Sequence, residues 1–269
     1  MLIMSYSSVD HTFVICAYGE SPFLRECMES VCTQDMSTNV ILSTSTPNDY
    51  IYSLCEEFDI PFFENEGEPG IGKDWNRALS HVETRLATIA HQDDVYLPQY
   101  SSTLINGFNN AELPLLFFCD YGEMRNGNNI DSSRLLQVKR LMLAPLKNKR
   151  RWSDIALRRF LLSFGSPISC PSVSFNLEAL PIPLFNTEMK CSLDWDAWER
   201  ISKMEGDFVY EPSIQMRHRI HSDSETSHLI ENRTRTTEDY EMFKRFWPSL
   251  VATVIAKAYA QSQKSNSLI

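Results

Sequence analysis

The chain has 269 residues, of which 43% are hydrophobic and 22% charged, as in ordinary soluble globular proteins with one large core or two unequal lobes. The net charge of −10 argues against general nucleic-acid binding, which needs a positive face. The seven cysteines are odd in number and none has Cys-x-x-Cys spacing, so reduced cytosolic thiols are expected rather than a disulfide framework or a zinc site.

The first half of the chain predicts alternating strands and helices. Ser21-Pro22 is typical of a helix N-cap followed by proline at the first helical position, and Asp74 is a second candidate cap. Strands are expected at 11–18, 39–42, 61–63, 86–90 and 115–119, with helices between them. This order predicts an α/β fold with a mostly parallel, Rossmann-like sheet and helices on both faces.

The second half is less regular. Residues 134–164 predict a helical insertion of two helices broken near Pro145, and they carry nine of the 25 Lys and Arg residues. A strand at 168–175, a helix at 194–204, strands within 208–220 and a long C-terminal helix from Thr236, bent near Pro248, should follow. The pattern contains no linker, so residues 1–269 are predicted to form a single domain with a helical tail at 236–269.

Targeting and membrane signals are weak. The N-terminus lacks a basic region followed by a long apolar stretch, and no run of about 18 apolar residues occurs, so neither a signal peptide nor a spanning helix is predicted. The apolar run from Val251 to Tyr259 is expected to pack on the body, or to form a homodimer or membrane contact. The sequence does not choose among these.

The segment His91-Gln92-Asp93-Asp94 directly follows the apolar run 86–90. Ligands of open α/β sheets bind beyond the carboxyl ends of the strands. Adjacent carboxylates suit a hard divalent cation such as Mg²⁺ or Mn²⁺, which often also holds a substrate diphosphate. A solvated loop before a helix at Pro98 explains the same residues, so the cluster alone leaves both interpretations open.

Several segments, taken in order, resemble the inverting glycosyltransferases of family 2. They are Thr12–Tyr18, Ser30–Gln34, the Gly-rich turn before Asn76, Gln92–Asp94, Leu193–Trp198 and Arg219–Thr226. The resemblance implies the A-type glycosyltransferase fold, with a nucleotide-sugar-binding half at 11–120 and an acceptor-side half at 121–235. It also implies transfer of a sugar from a nucleotide-diphosphate sugar to an acceptor hydroxyl with inversion, in cell-surface polysaccharide or glycolipid assembly.

The same resemblance implies partners and site residues. A UDP-sugar is the expected donor, the acceptor is a saccharide or is lipid-linked, and the cofactor is a divalent cation, Mn²⁺ or Mg²⁺. The enzyme would be cytoplasmic, with peripheral contact at the inner face of the plasma membrane as a further option. Metal ligands are expected at Asp93, Asp94 and His221, and donor contacts at Ala17, Tyr18, Glu20, Ser43, Lys73, Asn76, His91, Gln92 and Asp93.

Asp194 is the expected general base, because it aligns with the second acid of the family's acidic-acidic-aromatic pattern. A carboxylate within hydrogen-bond reach can accept a hydroxyl proton. Asp196 is the alternative, and residues two apart on a helix do not share a face, so only one of the two should reach the acceptor. A plain helix N-cap is the simpler role for Asp194.

Four departures from the family pattern stand out. His91 replaces the first aspartate of the acidic motif, and Leu193 replaces the first acid near the base. Trp75 stands where the family often has arginine, which leaves Lys73 or Arg77 to neutralise a diphosphate. The uncharged segment 43–46 stands where aspartates usually read the base, and this weakens the case for uracil.

Other interpretations remain open at this level. A catalytically silent nucleotide-sugar-binding protein accommodates the missing acids, whereas a nucleotidyltransferase is expected to carry a Gly-rich basic loop that Ala17–Glu20 does not match. The basic stretch 134–159 is either a binding face for a lipid-phosphate-linked acceptor or an anionic membrane, or a solvated helical face. Cys170–Ser172 is expected on a strand lining the acceptor pocket.

Overall fold

The computed structural model describes residues 5–221 and 234–267. The strands are β1 His11–Ala17, β2 Asn39–Thr44, β3 Phe62–Glu64, β4 Leu86–His91, β5 Val95–Tyr96, β6 Pro114–Arg125, β7 Asn128–Ile130, β8 Val173–Asn176 and β9 Asp207–Ile220. The helices are α1 Leu24–Cys32, α2 Asp49–Phe58, α3 Ile71–Ser80, α4 Tyr100–Asn109, α5 Arg134–Leu143, α6 Ile155–Leu162, α7 Leu193–Ile201, α8 Thr234–Lys244 and α9 Ser249–Ser267.

The strands form one sheet in the order β3-β2-β1-β4-β8-β6-β9-β5, with β7 paired to β6. β1 to β4 are parallel, as the alternating pattern predicts, and their apolar residues are buried because helices cover both faces. β8 runs antiparallel to β4 and β6, whereas β6 and β9 are parallel. The predicted α/β class is confirmed, and the second half makes the sheet mixed.

Several predicted boundaries are wrong for local reasons. α1 begins at Leu24 rather than Pro22, because residues 21–23 form a turn in which the Ser21 hydroxyl accepts a hydrogen bond from the Phe23 amide at 3.3 Å. α3 begins at Ile71, and Asp74 lies inside it, although its carboxylate still accepts the Gly70 amide at 2.9 Å.

Three predicted elements of the second half are also wrong. Residues 170–172 form a 3-10 turn instead of part of a strand, and β8 starts at Val173. β9 is one continuous strand through Pro212. The single long C-terminal helix is two helices, because the chain turns at Pro248 between α8 and α9.

The C-terminal helices pack on the body. Met242 and Phe243 of α8 and Ala252 and Ala256 of α9 are buried in the continuous core. The opposite side of α9 leaves Leu250 86% exposed. Part of the run 251–259 is therefore core, and its outer face lies on the surface. Across the described ranges 5–221 and 234–267, no helix combines the length and apolar content needed to span a bilayer.

Candidate active site

The acidic turn lies where β4 gives way to β5. The Asp94 amide donates to the His91 carbonyl at 3.1 Å, so the chain turns tightly and re-enters the sheet as β5. β5 pairs antiparallel with β9, with Val95 opposite Arg217. This pairing carries the end of β9 onto the acidic turn, so that His218, Arg219 and His221 contact Asp93 and Asp94.

Asp94 is the centre of a buried ion pair. Its side chain is fully buried, and its Oδ1 accepts hydrogen bonds from His218 Nδ1 and from the Arg219 amide, both at 2.9 Å. Burial by itself lowers the pKa of His218, but the charges of Asp94 and Asp93 outweigh it and raise the pKa to about 9. His218 is therefore a cation at neutral pH and neutralises Asp94.

Asp93 faces the histidine that follows β9. Its Oδ2 lies 3.0 Å from His221 Nε2, which brings two of the three predicted metal ligands together. Burial raises the pKa of Asp93, but the imidazoles of His218 and His91 and the hydrogen bond to His221 lower it further than burial raises it. Asp93 is thus an anion at neutral pH. Residues 222–226 of the predicted late histidine segment lie outside the described residues.

Arg219 ties this turn to α1. Its Nε donates to the Asp93 carbonyl at 2.8 Å, its terminal nitrogen pairs with Glu26, and its guanidinium lies 4.4 Å from the Phe23 ring centroid. The His221 ring also contacts Phe23, at 4.9 Å between centroids. The sequence pattern predicts a strand at Arg219 but indicates no role for its side chain. Here it is a positioning residue for the acidic turn.

His91 ends β4 on the site side. Its Nδ1 lies 3.8 Å from Asp94 Oδ2, and its ring stacks on Trp75 with centroids 5.1 Å apart. Burial lowers the pKa of His91 more than Asp94 and Asp93 raise it, so the imidazole is neutral at neutral pH. One ligand atom from each of His91, Asp93 and Asp94 lies within 4.8 Å of the others. These three residues form a group able to hold a divalent cation.

The predicted donor residues at the end of β1 are held by Gln92. Its amide oxygen accepts the Tyr18 amide at 2.9 Å, and its Nε2 donates to the Tyr18 carbonyl at 3.0 Å. The Tyr18 side chain is 56% exposed and offers its aromatic face to a ligand. Gly19 donates to Thr46, so the polar segment after β2 shapes the same loop. Ala17 is buried and Glu20 is exposed beside this loop.

The other donor candidates are engaged within the protein. Ser43 is buried and bonds to Asn65, and Lys73 pairs with Glu68 at 3.2 Å. The Asn76 side-chain oxygen accepts hydrogen bonds from the backbone amides of residues 184 and 185, at 3.0 and 2.9 Å. Its Nδ2 donates to the carbonyl of residue 185. Asn76 therefore positions the chain leading to α7, and its donor contact stays a prediction.

Asp194 and Asp196 occupy different environments. Asp196 is 2% exposed and pairs with Arg200 at 2.8 Å and with Arg245 at 2.7 Å. Asp194 is partly buried, and its Oδ1 accepts the Trp195 amide at 2.7 Å. Burial raises the pKa of Asp194, and the Trp195 amide and the nearby cations offset only part of this rise. Asp194 is the better placed of the two to accept a proton.

The departure at Leu193 has a packing reason. Leu193 is 3% exposed, and a Cβ on Gly72 of α3 would lie 3.1 Å from its side chain. The starts of α3 and α7 therefore touch, and a larger residue at 72 would press on the Leu193 side chain. A carboxylate at 193 would be buried against this helix, which costs free energy unless it is paired.

α8 holds the chain that leads into α7. The Glu238 carboxylate accepts the backbone amides of Lys190, Cys191 and Ser192 at 2.8, 2.8 and 2.9 Å. The Ser192 hydroxyl donates to Asp239 at 3.1 Å. These contacts lie two to four residues before Asp194. No local sequence signal predicts these contacts, because the residues that form them are nearly 50 positions apart in the chain.

Lys139 lies near both Asp194 and His218, and it contacts Tyr121. Lys139 Nζ donates to the Tyr121 hydroxyl at 2.9 Å, and the Tyr121 ring lies 6.5 Å from that of His218. The Lys139 charge lowers the pKa of both Asp194 and His218, although burial is the larger influence on each. The Cys170 thiol lies close enough to sense both Asp194 and Asp94, and burial raises its pKa.

The cations of the basic stretch 134–159 do not lie together on one surface. Arg158 is 1% exposed and donates to four backbone carbonyls, and Arg140 and Arg159 pair with Asp120 and Glu199. Together with Lys139, these cations point into the protein. The exposed remainder is Arg134, Lys147, Lys149, Arg150 and Arg151.

Several solved structures share the fold of this chain. A search of curated proteins found no match. A mannosyltransferase, PcManGT, from Pyrobaculum calidifontis, solved with GDP-Man and Mn²⁺, is similar in structure, with a TM-score of 0.61, 16% identity, and coverage of 95% of this chain and 70% of that one. S. aureus TarS 1-349 with UDP-GlcNAc gives a TM-score of 0.59 at 13% identity, covering 92% and 70%.

A third similar structure is glucosyl-3-phosphoglycerate synthase from Mycobacterium tuberculosis, solved with Mn²⁺, UDP and glucosyl-3-phosphoglycerate. Its TM-score is 0.54 at 14% identity, covering 86% of this chain and 78% of that one. These likenesses confirm the A-type glycosyltransferase fold. The sequence model of glycosyl transferase family 2 matches residues 12–162, which is more than half of the chain. The chain therefore belongs to glycosyl transferase family 2.

Proposed function

We propose that this protein transfers a sugar from a nucleotide-diphosphate sugar to an acceptor hydroxyl with inversion at the anomeric carbon. The observation that carries the proposal is the convergence of Asp93, Asp94 and His221 at the end of β4, with Asp194 and Asp94 both close enough to the Cys170 thiol to influence it. Asp93, Asp94 and His221 would hold the cation and the diphosphate, and Asp194 would accept the proton. Inverting transfer needs both functions in one site.

The donor binds along the strand ends of the first half. The exposed Tyr18 ring stacks on the nucleobase, and the loop clamped by Gln92 and Thr46 surrounds the ribose. A UDP-sugar is the proposed donor. UDP or a UDP-sugar is named in the TarS and synthase structures, and a GDP-sugar in the mannosyltransferase structure. The side chains after β2 are uncharged and do not indicate which nucleobase binds, so the nucleobase is identified by measurement.

The cation-binding group fits Mn²⁺ or Mg²⁺ held together with the donor. Asp94 Oδ2 is buried, and within the described residues it has no hydrogen-bond partner. Asp93 and His221 supply further oxygen and nitrogen atoms beside it. A bound cation would neutralise charge on the departing nucleoside diphosphate. His218 and Arg219 already balance part of the negative charge, so the cation should bind with the diphosphate rather than before it.

Asp194 is the proposed general base. It takes the proton from the acceptor hydroxyl, whose oxygen forms a bond to the anomeric carbon as the bond to the diphosphate oxygen breaks. Its raised pKa makes it a stronger base than an ordinary aspartate. Asp196 cannot share this role, because its two arginine partners hold it within the protein.

The acceptor approaches from the second half, past Lys139, Tyr121 and the 3-10 turn at 170–172. A saccharide or a lipid-linked saccharide is the proposed acceptor class. Exposed Lys149, Arg150 and Arg151 are followed along the chain by α6, where Phe160 is 58% exposed, and this combination supports contact with an anionic membrane surface. The proposed location is thus the cytoplasmic face of such a membrane.

A donor panel tests the proposal. Purified protein is titrated calorimetrically with UDP, GDP and their sugars, with and without Mn²⁺, and release of nucleoside diphosphate is followed with time. We expect one nucleotide to bind with Mn²⁺ and turnover to follow. Asp93→Asn should weaken the Mn²⁺-dependent binding, whereas Asp35→Asn, an exposed aspartate outside the site, should not.

The outcomes separate the candidate functions. Binding without hydrolysis or transfer to any acceptor would favour a catalytically silent binding protein. Absence of binding to every nucleotide would contradict the proposal. Unchanged affinity in Asp93→Asn would remove the acidic turn from the donor site.

A further inference from the structure

The side chains of His91 and Asp94 lie side by side, and the 3.8 Å between His91 Nδ1 and Asp94 Oδ2 is too long for a hydrogen bond. Among the described residues, neither His91 Nε2 nor Asp94 Oδ2 has a hydrogen-bond partner, although both atoms are buried. Asp94 is 0% exposed, and its Oδ2 lies 3.8 Å from His91 Nδ1. A buried carboxylate oxygen without a partner is costly, and such a site calls for a ligand.

The imidazole is held rigidly in this position. Backbone pairing with Cys16 fixes the end of β4, and the Trp75 ring covers one face of the imidazole at an interplanar angle of 21°. Trp75 is itself wedged against Phe185, with ring centroids 4.9 Å apart. A ring with so little freedom loses little entropy when it binds a ligand. Imidazole nitrogens are common metal ligands, and one ligand atom from each of His91, Asp93 and Asp94 lies within 4.8 Å of the others.

We propose that His91 is a nitrogen ligand of the catalytic cation, and that this ligand makes the site select Mn²⁺ over Mg²⁺. Mg²⁺ prefers oxygen ligands and strict octahedral geometry, whereas Mn²⁺ accepts imidazole more readily. His91 also stands in place of an aspartate, so the site has one carboxylate ligand fewer for Mg²⁺. The inference rests on the proposed function for the presence of a cation with the diphosphate.

The closing experiment measures metal binding rather than turnover. Mn²⁺ and Mg²⁺ affinities are determined calorimetrically with UDP present, for the wild type, His91→Asp and His91→Asn. The control is His81→Asn, which removes a partly buried imidazole stacked on Phe63 outside the site. We expect the wild-type preference for Mn²⁺ to fall by about tenfold or more in His91→Asp, mostly through stronger Mg²⁺ binding, as for changes around metal ligands in general. The control should keep the preference.

A spectroscopic measurement identifies the nitrogen. Pulsed electron paramagnetic resonance of the Mn²⁺–UDP complex should show ¹⁴N couplings that weaken in both His91 variants and persist in His81→Asn. The reduction should appear in His91→Asn even if His91→Asp folds poorly, because asparagine adds no buried charge. Thermal melting identifies a variant that does not fold.

Each other outcome has a defined meaning. An equal Mn²⁺ to Mg²⁺ preference in the wild type and in His91→Asp, with unchanged ¹⁴N couplings, would overturn the inference and leave the proposed function standing. If UDP binds without either cation, the inference fails and the donor site survives. If UDP does not bind at all, the proposed function itself fails.

Discussion

His218 donates a hydrogen bond to Asp94 across 2.9 Å, although 124 residues separate them in the chain. Because Asp94 ends the β4 turn and His218 lies in β9, the bond joins the donor half to the second half. The fully buried carboxylate of Asp94 is paired with this imidazole and also accepts the Arg219 amide at 2.9 Å. The geometry of the acidic turn therefore depends on residues that arrive much later in the sequence.

Asp194→Asn should lower kcat by a factor on the order of 10² or more, the scale of general base catalysis, while donor binding survives. Because burial raises the Asp194 pKa, wild-type activity should decline on acidification at a higher pH than an ordinary aspartate would require. Steady-state kinetics and calorimetry check both points. Asp196→Asn should instead lower the melting temperature, since it breaks two buried ion pairs. The reverse pattern would exclude Asp194 as the base.

Glu238→Ala should reduce kcat while leaving the affinity for nucleoside diphosphate nearly unchanged. The carboxylate accepts three backbone amides just before α7, so its loss frees the chain that positions Asp194. Glu238→Gln keeps one acceptor oxygen and should recover part of the rate. Kinetics of both variants are compared with Glu241→Ala, at an exposed site on the same helix. Equal rates in all three variants would contradict the positioning role.

Asp239→Asn should change how stability depends on pH. Burial raises the pKa of Asp239 from 3.8 to about 6, despite Arg235 nearby and the bond from Ser192. A raised folded-state pKa contributes stability that is fully present below about pH 4 and is lost as the pH rises through 6. Between pH 4 and pH 8 the wild type should therefore lose roughly 2 kcal/mol relative to the variant. Chemical denaturation at both pH values measures this, and parallel pH profiles would refute it.

Replacing Lys149, Arg150 and Arg151 with serine should abolish binding to anionic vesicles at low salt. These side chains are exposed, unlike Arg158 of the same stretch, and surface attraction is screened within about 10 Å at 0.1 M salt. Vesicle sedimentation measures binding, with neutral vesicles as a reference. The matched control replaces the exposed cations Arg25, Lys190 and Lys244 with serine. A wild-type protein that ignores anionic vesicles would favour a soluble acceptor.

The local pattern of the chain was enough to predict the first half. Strand and helix periodicity, together with turn residues, depends on neighbours within a few positions, so β1 to β4 and α1 to α4 followed from the sequence with boundary errors of up to a few residues. The acidic turn and the aspartate pair of α7 were also visible as motifs. Their proposed chemistry came from residue type and from the resemblance to family 2.

Contacts across long stretches of chain were decided only by the tertiary structure. The pairing of β5 with β9 sets His218, Arg219 and His221 against the aspartates, and no local signal specifies that register. Arg158 likewise belongs to the basic stretch that was a candidate lipid contact, but the structure buries it in the protein. Side-chain burial and distant partners depend on how all the elements pack, because charge and hydrogen bonding act through space and not along the chain.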